Sequence, residues 1–302
     1  MDNEKYLQEI LKSQTLASDG PELKALQKHR ETVESLLRKH FSDSSPTIRY
    51  GGSKAKGTMI REAYDLDIIC YFPHDDTAAG DTLENIYNNV QKALSKEYLV
   101  EPKPSALRLK DSSMQNKGVD FHIDVVPGRY TDDTKSDVFL YRASGEKKRL
   151  KTNLEIHIEQ VKDSGLTDAI RLLKLWRIRN SMSVKHFALE LLTIDLLKNK
   201  KSLGLSEQLK HVWKEMRDNI DGIYIKDPAN PNGNDLSDLL NEVVRSELSS
   251  VADTNLNNID KLGWEVIFGP SEDNGEEEDR IVSLKQAAAT VIRPTKPWSI
   301  DS

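Results

Sequence analysis

The stretch Gly51-Gly52-Ser53-Lys54-Ala55-Lys56-Gly57-Thr58-Met59-Ile60-Arg61-Glu62-Ala63-Tyr64-Asp65-Leu66-Asp67-Ile68-Ile69-Cys70 decides how the rest of the chain is read. A small-residue turn ends at Ser53, and after an eleven-residue spacer two aspartates flank one leucine and enter the apolar run Ile68-Ile69-Cys70-Tyr71-Phe72. That run reads as a buried strand. Side chains alternate along a strand, so Asp65 and Asp67 share one face while Leu66 and Ile68 pack on the other. Two carboxylates held that close repel each other and call for a cation, and hard divalent ions such as Mg²⁺ take carboxylate oxygens together with substrate phosphates. The turn supplies the complementary half, because glycines let backbone N–H groups approach an anion and the Ser53 hydroxyl adds a donor. Gly-Gly-Ser alone is an ordinary glycine loop. With Asp-x-Asp at this spacing it reads as a site for a metal-bound nucleoside triphosphate.

A second stretch, Val119-Asp120-Phe121-His122-Ile123-Asp124-Val125-Val126-Pro127-Gly128, alternates strictly. It places Val119, Phe121, Ile123 and Val125 on one face and Asp120, His122 and Asp124 on the other. A strand in this register can bring a third carboxylate to the aspartate pair, as two-metal phosphoryl transfer requires. Asp120 and Asp124 both qualify at this level. His122 reads as a half-buried histidine with a hydrogen-bond partner, since imidazole suits Mg²⁺ poorly.

Composition bounds the rest. A chain of 302 residues has room for two core-bearing lobes, and 37% hydrophobic with 30% charged residues reads as soluble and globular. No apolar run approaches the roughly 20 residues of a membrane span, and the early Asp2, Glu4 and Lys5 do not fit a signal peptide. The single cysteine, Cys70, has no internal partner and sits in the buried run, so a reducing cytoplasm is expected. The net charge of −6 weighs against a dedicated polynucleotide binder, which neutralises phosphates with a basic excess.

Apolar spacing predicts a long amphipathic helix from near Pro21, packed under the sheet as a spine, and another over 82–96. Short strands are expected at Tyr98-Leu99-Val100 and Ala106-Leu107-Arg108-Leu109. The basic run Arg142 to Lys151 reads as a solvated loop. From Asn153 onward the pattern is helical. Thr167 to Asn180 combines an apolar side with Arg171, Lys174, Arg177 and Arg179, and a further helix follows over 184–192. Asp227-Pro228-Ala229-Asn230-Pro231-Asn232-Gly233-Asn234-Asp235 reads as a turn. Glu272 to Asp279 is expected to be an acidic loop before a last helix, Ile281 to Val291, and an irregular tail through Pro294, Pro297 and Trp298.

Gly52-Ser53, the spacer and Asp65-Leu66-Asp67-Ile68 resemble the signature of the DNA polymerase β-like nucleotidyltransferase superfamily. In that superfamily the third acid lies between hydrophobic residues on a neighbouring strand, which Ile123-Asp124-Val125 matches best, with Asp120 as competitor. Arg171-Leu172-Leu173-Lys174-Leu175-Trp176-Arg177 resembles the helix whose lysine reaches the triphosphate, a role that falls on Lys174. Val184-Lys185-His186-Phe187-Ala188-Leu189-Glu190 resembles the segment carrying Ser-Tyr-x-Leu-Glu. His186 and Phe187 stand at its serine and tyrosine, which leaves Phe187 a ring for base stacking without the hydroxyl. The Asp-Pro-x-Asn-Pro-x-Asn turn is similar to that of oligoadenylate synthases and archaeal CCA-adding enzymes.

Together these motifs resemble the bacterial CD-NTases, relatives of cyclic GMP-AMP synthase that include the DncV-like enzymes. The resemblance implies an α+β, two-lobed polymerase β-like fold: a mixed-sheet catalytic lobe with an N-terminal spine helix over 1–160, and a helical, oligoadenylate synthase-like lobe over 161–302. It further implies an enzyme that condenses nucleoside triphosphates into a cyclic oligonucleotide messenger, with release of pyrophosphate, in CBASS-type anti-phage signalling. Two Mg²⁺ ions, replaceable by Mn²⁺, would be held by Asp65, Asp67 and Asp124, with Gly52, Ser53 and Lys174 on the triphosphate and Phe187 on a base. The implied partners are nucleoside triphosphates and a downstream effector that binds the product, with no membrane and no stable nucleic-acid partner. The rival readings are a template-independent, CCA-adding-like transferase acting on RNA ends, and a nucleotide-binding module that has lost catalysis. The absence of a basic surplus for tRNA argues against the first, and the presence of all three acids against the second.

Overall fold

The computed structural model describes residues 2–110, 123–144 and 147–270. Asp120, His122, the acidic run Glu272 to Asp279, the expected last helix and the tail lie outside the described residues. Seven strands form one mixed sheet: β1 (Thr47–Tyr50), β2 (Leu66–Phe72), β3 (Leu99–Pro102), β4 (Leu107–Lys110), β5 (Ile123–Tyr130), β6 (Val138–Tyr141) and β7 (Arg149–Thr152). The order is β1-β2-β5-β4-β3, with β6 on the distal half of β5 and β7 on β6. Among the described residues only β2 and β5 run parallel.

Alternation fixes which face of β2 is buried. Leu66, Ile68, Cys70 and Phe72 are all 0% exposed and meet Leu107, Leu109, Ile123 and Val125 from the neighbouring strands. Two helices cover this face: α2 (Pro21–His40), which starts with proline at its first turn, and α4 (Leu83–Leu94), which is fastened by a Thr82–Asn85 capping box. On the opposite face a small cluster of Ile69, Tyr71, Tyr130, Val138 and Leu140 covers the distal half of β2 and β5. Asp67 and Asp124 lie on that same face at the beginnings of β2 and β5, beyond the cluster.

The helical part comprises α5 (Leu154–Lys162), α6 (Thr167–Arg179), α7 (His186–Leu197), α8 (Leu205–Asp218), α9 (Glu242–Leu262) and α10 (Glu265–Phe268) around Trp176, Trp213, Trp264 and Phe268. The first helix, α1 (Asn3–Ser13), joins this core rather than the sheet, burying Tyr6, Leu7, Ile10 and Leu11 in it. Glu4 accepts from the backbone N–H groups of Leu205 (2.7 Å) and Ser206 (2.9 Å), so α1 caps α8 from across the sequence. Tyr6 donates its hydroxyl to the Gly269 carbonyl.

Two local expectations change. The basic run is not all loop, because Arg149–Thr152 forms β7 at the outer edge of the sheet. Its charged residues alternate with Leu150 and Thr152, and lysine and arginine are what an edge strand carries to discourage further pairing. The residues after Gly51 form a short helix, α3 (Gly52–Lys56), which a left-handed Gly57 (φ 74°) terminates. Among the described residues no helix is long and apolar enough to cross a membrane.

Candidate active site

One rung of the sheet carries the charged side chains. Gly51 N–H donates to the Asp67 carbonyl (2.8 Å), Asp67 is in register with Asp124, Asp124 with Arg108, and Arg108 with Glu101. Residues in register point the same way, so β2, β5, β4 and β3 present aspartate, aspartate, arginine and glutamate in a row. Asp65 immediately precedes β2, on the side of Asp67 by alternation.

The two aspartates have different surroundings. Asp124 accepts both arms of the Arg108 guanidinium, at 2.8 Å from Nε and 2.7 Å from Nη2. Asp67 is pushed up to about 6 by burial first, then by the charges of Asp124 and Asp65, against a weaker opposite pull from Lys56 and Lys174. Gly52, at φ 49°, lies directly over it, and a Cβ there would overlap the Asp67 carboxylate. Glycine is required for both the backbone conformation and the close approach.

Behind Asp67 lies a buried ion network between the two halves of the molecule. Glu190 of α7 pairs with Lys56 of α3 (2.6 Å) and Lys174 of α6 (2.5 Å), and accepts from the Thr58 hydroxyl (3.0 Å). Lys174 also donates to Thr58 Oγ1 at 2.7 Å. Burial alone would raise the Glu190 carboxyl, but Lys174 and Lys56 overcome it and hold the group at about 2. Burial pulls Lys174 below its ordinary value, against Glu190. Two ammonium groups share one carboxylate, leaving an excess positive charge beside Asp67. Phe187, half-buried, lies edge-on to His157 with ring centroids 5.2 Å apart, and Lys56 Nζ is 5.3 Å from its ring centre. His186 is pushed down to about 4, by burial first and then by Lys174 and Arg177, so the ring is neutral and accepts from Arg177 Nη1 at 3.2 Å.

The structure therefore brings Gly52, Asp67, Asp124, Lys174 and Phe187 into one region. Lys174 is 2% exposed and sits in the network rather than on a solvated basic face, while Arg171 turns to α1, donating to Thr15 Oγ1 (2.7 Å) and the Leu11 carbonyl (3.1 Å). The Asp227 turn is a support tied to its surroundings: Asp227 accepts from Ala229 N–H (2.9 Å) and Asn234 Nδ2 (2.5 Å) and lies 3.4 Å from His157 Nε2, and Asn234 reaches the Lys151 carbonyl of β7 (3.0 Å).

Sequence reasoning gave no role to Arg108, Lys56, Thr58 or Glu190. Glu190 did carry a signal, since a lone glutamate among Ala188, Leu189, Leu191 and Leu192 has to find a buried cation. Arg108 carried none, because alternation shows a strand but not its register.

The donor set fits a divalent metal of the Mg²⁺ type: carboxylate oxygens only, with Asp67 destabilised by two neighbouring anions and therefore open to a cation. Among the described residues no group of three or more His, Cys, Asp or Glu side chains is already gathered around a common metal position. Both oxygens of Asp124 accept from the Arg108 fork.

No protein-family model matches the sequence, and no curated protein matches it. Solved structures do. The chain is similar to Escherichia coli MS115-1 CdnC, solved in a CdnC:HORMA-deltaN complex, with TM-score 0.67 and 20% identity over 90% of this chain and 99% of that one. It is similar to the Bradyrhizobium diazoefficiens CD-NTase CdnG in complex with GTP, with TM-score 0.66 and 16% identity over 96% and 99%. It is also similar to the Vibrio cholerae DncV cyclic AMP-GMP synthase in complex with nonhydrolyzable GTP, with TM-score 0.59 and 17% identity over 91% and 86%.

Proposed function

We propose that this chain, whose α+β fold is that of the CD-NTases, is a Mg²⁺-dependent nucleotidyltransferase. It joins nucleoside triphosphates into a cyclic oligonucleotide messenger and releases pyrophosphate. The observation that carries this reading is the parallel pairing of Asp67 with Asp124, with Gly52 pressed on Asp67 and a net-positive lysine network behind it. The structures of similar fold include cyclic dinucleotide synthases and complexes with GTP and ATP, which supports the substrate class.

Asp65, Asp67 and Asp124 would hold the metal ions. Metal ions held there would supply charge neutralisation of the triphosphate and activation of the attacking hydroxyl. The remaining work belongs to the chain itself. Gly52 lets the start of α3 press on Asp67, and the Ser53 hydroxyl next to it donates to a phosphate. Lys174 and Lys56, fixed by Glu190, present positive charge where negative charge develops on the leaving pyrophosphate. Being already ordered, they lose little entropy when substrate arrives. Phe187 offers a ring to a nucleobase. The cellular setting is a bacterial cytoplasm, where an effector recognises the cyclic product in anti-phage signalling.

The test is incubation of pure protein with all four labelled triphosphates and Mg²⁺ or Mn²⁺, followed by phosphatase. Phosphatase-resistant products are expected. Incorporation that needs added tRNA and yields only extended RNA would replace this reading with an RNA-terminal transferase. Triphosphate binding without pyrophosphate release would make the chain a binding module.

A further inference from the structure

We propose that Arg108 is a resident cation of the acid cluster, which holds Asp124 in the metal-free protein and competes with the divalent ion for it, thereby setting the metal affinity of the site. The inference rests on the reading of Asp65, Asp67 and Asp124 as metal-holding acids.

The geometry is specific. Asp124 is flanked in the sheet by Asp67 on β2 and Arg108 on β4, all on one face. Its carboxylate is turned to the arginine, with both oxygens accepting from one fork. Such a planar bidentate pair is the strongest hydrogen-bonded arrangement these groups can make. The pair is partly sheltered, with side-chain exposures of 26% for Arg108 and 17% for Asp124. Arg108 has a carboxylate on its other side too, because Glu101 is its register partner on β3. Glu101 is instead taken by Lys103 Nζ at 2.5 Å and Lys110 Nζ at 3.1 Å. Among the described residues the hydrogen bonds of the fork go to Asp124.

A divalent ion shared between Asp67 and Asp124 would sit between strands about 4.8 Å apart. That places it close to the guanidinium, where like charges repel in a partly desolvated cleft. The fork also occupies a lone pair on each carboxylate oxygen, so an ion has to share the acid with a charge of its own sign. Arg108 compensates the acid cluster while metal is absent and opposes metal when it arrives. A purely orienting partner would act in the opposite sense, since loss of a hydrogen bond that steadies a ligand weakens metal binding.

The experiment is calorimetric titration of the metal-free full chain with Mn²⁺ alone at pH 7.5, for wild type, Arg108→Gln, Arg108→Lys and Asp124→Asn, with thermal melts of each. The expected result is a dissociation constant lowered about tenfold or more in Arg108→Gln, from the removed charge-assisted competitor. Arg108→Lys, which keeps the charge but not the fork, should fall between it and wild type, and Asp124→Asn should bind more weakly than wild type. If Arg108→Gln melts without cooperativity, Arg108→Lys carries the test with the same sign. Unchanged or weaker binding in the Arg108 variants, with wild type binding and Asp124→Asn impaired, would overturn the competition and leave the metal reading standing. No Mn²⁺ binding by wild type, even with a nonhydrolysable triphosphate, would overturn both.

Discussion

Asp67→Asn and Asp124→Asn should both abolish catalysis yet move stability in opposite directions. The Asp67 carboxyl is raised from 3.8 to about 6 by burial and by the charges of Asp124 and Asp65. At about 1.4 kcal/mol per pKa unit, ionised Asp67 costs the folded state at most about 3 kcal/mol, which water reaching the cleft reduces to about 1–2 kcal/mol. A raised carboxyl makes the folded state bind protons more tightly than the unfolded chain. Its stabilising effect is therefore complete below pH ~4 and is lost as pH rises through ~6. Asparagine carries no charge at either pH, so metal-free Asp67→Asn should melt about 2–5 °C above wild type at pH 7.5 and together with it near pH 4. Asp124→Asn instead removes the acceptor of a bidentate pair, leaving Arg108 partly sheltered and uncompensated, a loss of about 1–3 kcal/mol and a lower melting temperature. Differential scanning calorimetry in chelator at the two pH values reads both changes, and pyrophosphate release reads activity. An Asp67→Asn melt below wild type at pH 7.5 would refute the argument that burial and the neighbouring carboxylates outweigh Lys56 and Lys174 at Asp67.

Further outcomes follow from the same geometry. Lys174→Ala should lower kcat/KM for the triphosphate about ten- to hundredfold, while Arg179→Ala, whose guanidinium pairs with Glu62 outside the lysine network, should do much less; pyrophosphate release measures both, and equal small effects would make Lys174 only a structural ion. Chelator should stop turnover and Mg²⁺ or Mn²⁺ restore it, and Mg²⁺ should raise the melting temperature more at pH 7.5 than at pH 5, where it has to displace a proton from Asp67. Glu4→Ala, which uncaps α8, should cost about 0.5–2 kcal/mol in a denaturant melt and leave kcat unchanged.

The elements governed by local pattern were legible. The apolar run Ile68-Ile69-Cys70-Tyr71-Phe72 located the central strand, and the spacing around Leu26, Val33 and Leu37 located a helix beginning at Pro21. What alternation cannot carry is register, and the site is built from register: Asp67 beside Asp124, and Asp124 beside Arg108, are relations between separate strands that no pattern within one strand specifies. Lys174 was legible as a cation on α6 but not as a buried one, because its exposure depends on Glu190 arriving from the next helix. The edge strand β7 was read as loop, since its composition is tuned to keep other strands away and so lacks the apolar signal of an interior strand. The placement of α1 was equally hidden: amphipathic periodicity says that a face is buried, not against what.

That placement has a consequence for how the polypeptide is made. The sheet and its covering helices draw on residues 21–152, whereas the apolar face of α1 needs α6, α8 and α10 to close over it. At about 5–20 residues per second, the roughly 200 residues between Glu4 and its partners at Leu205 and Ser206 take about 10–40 s to synthesise. Throughout that interval the sheet can assemble while Tyr6, Leu7, Ile10 and Leu11 wait without their core. Protein synthesis thus imposes an order of assembly, sheet before helical core, and leaves the nascent chain a leading segment that is sticky until its final partners emerge from the ribosome.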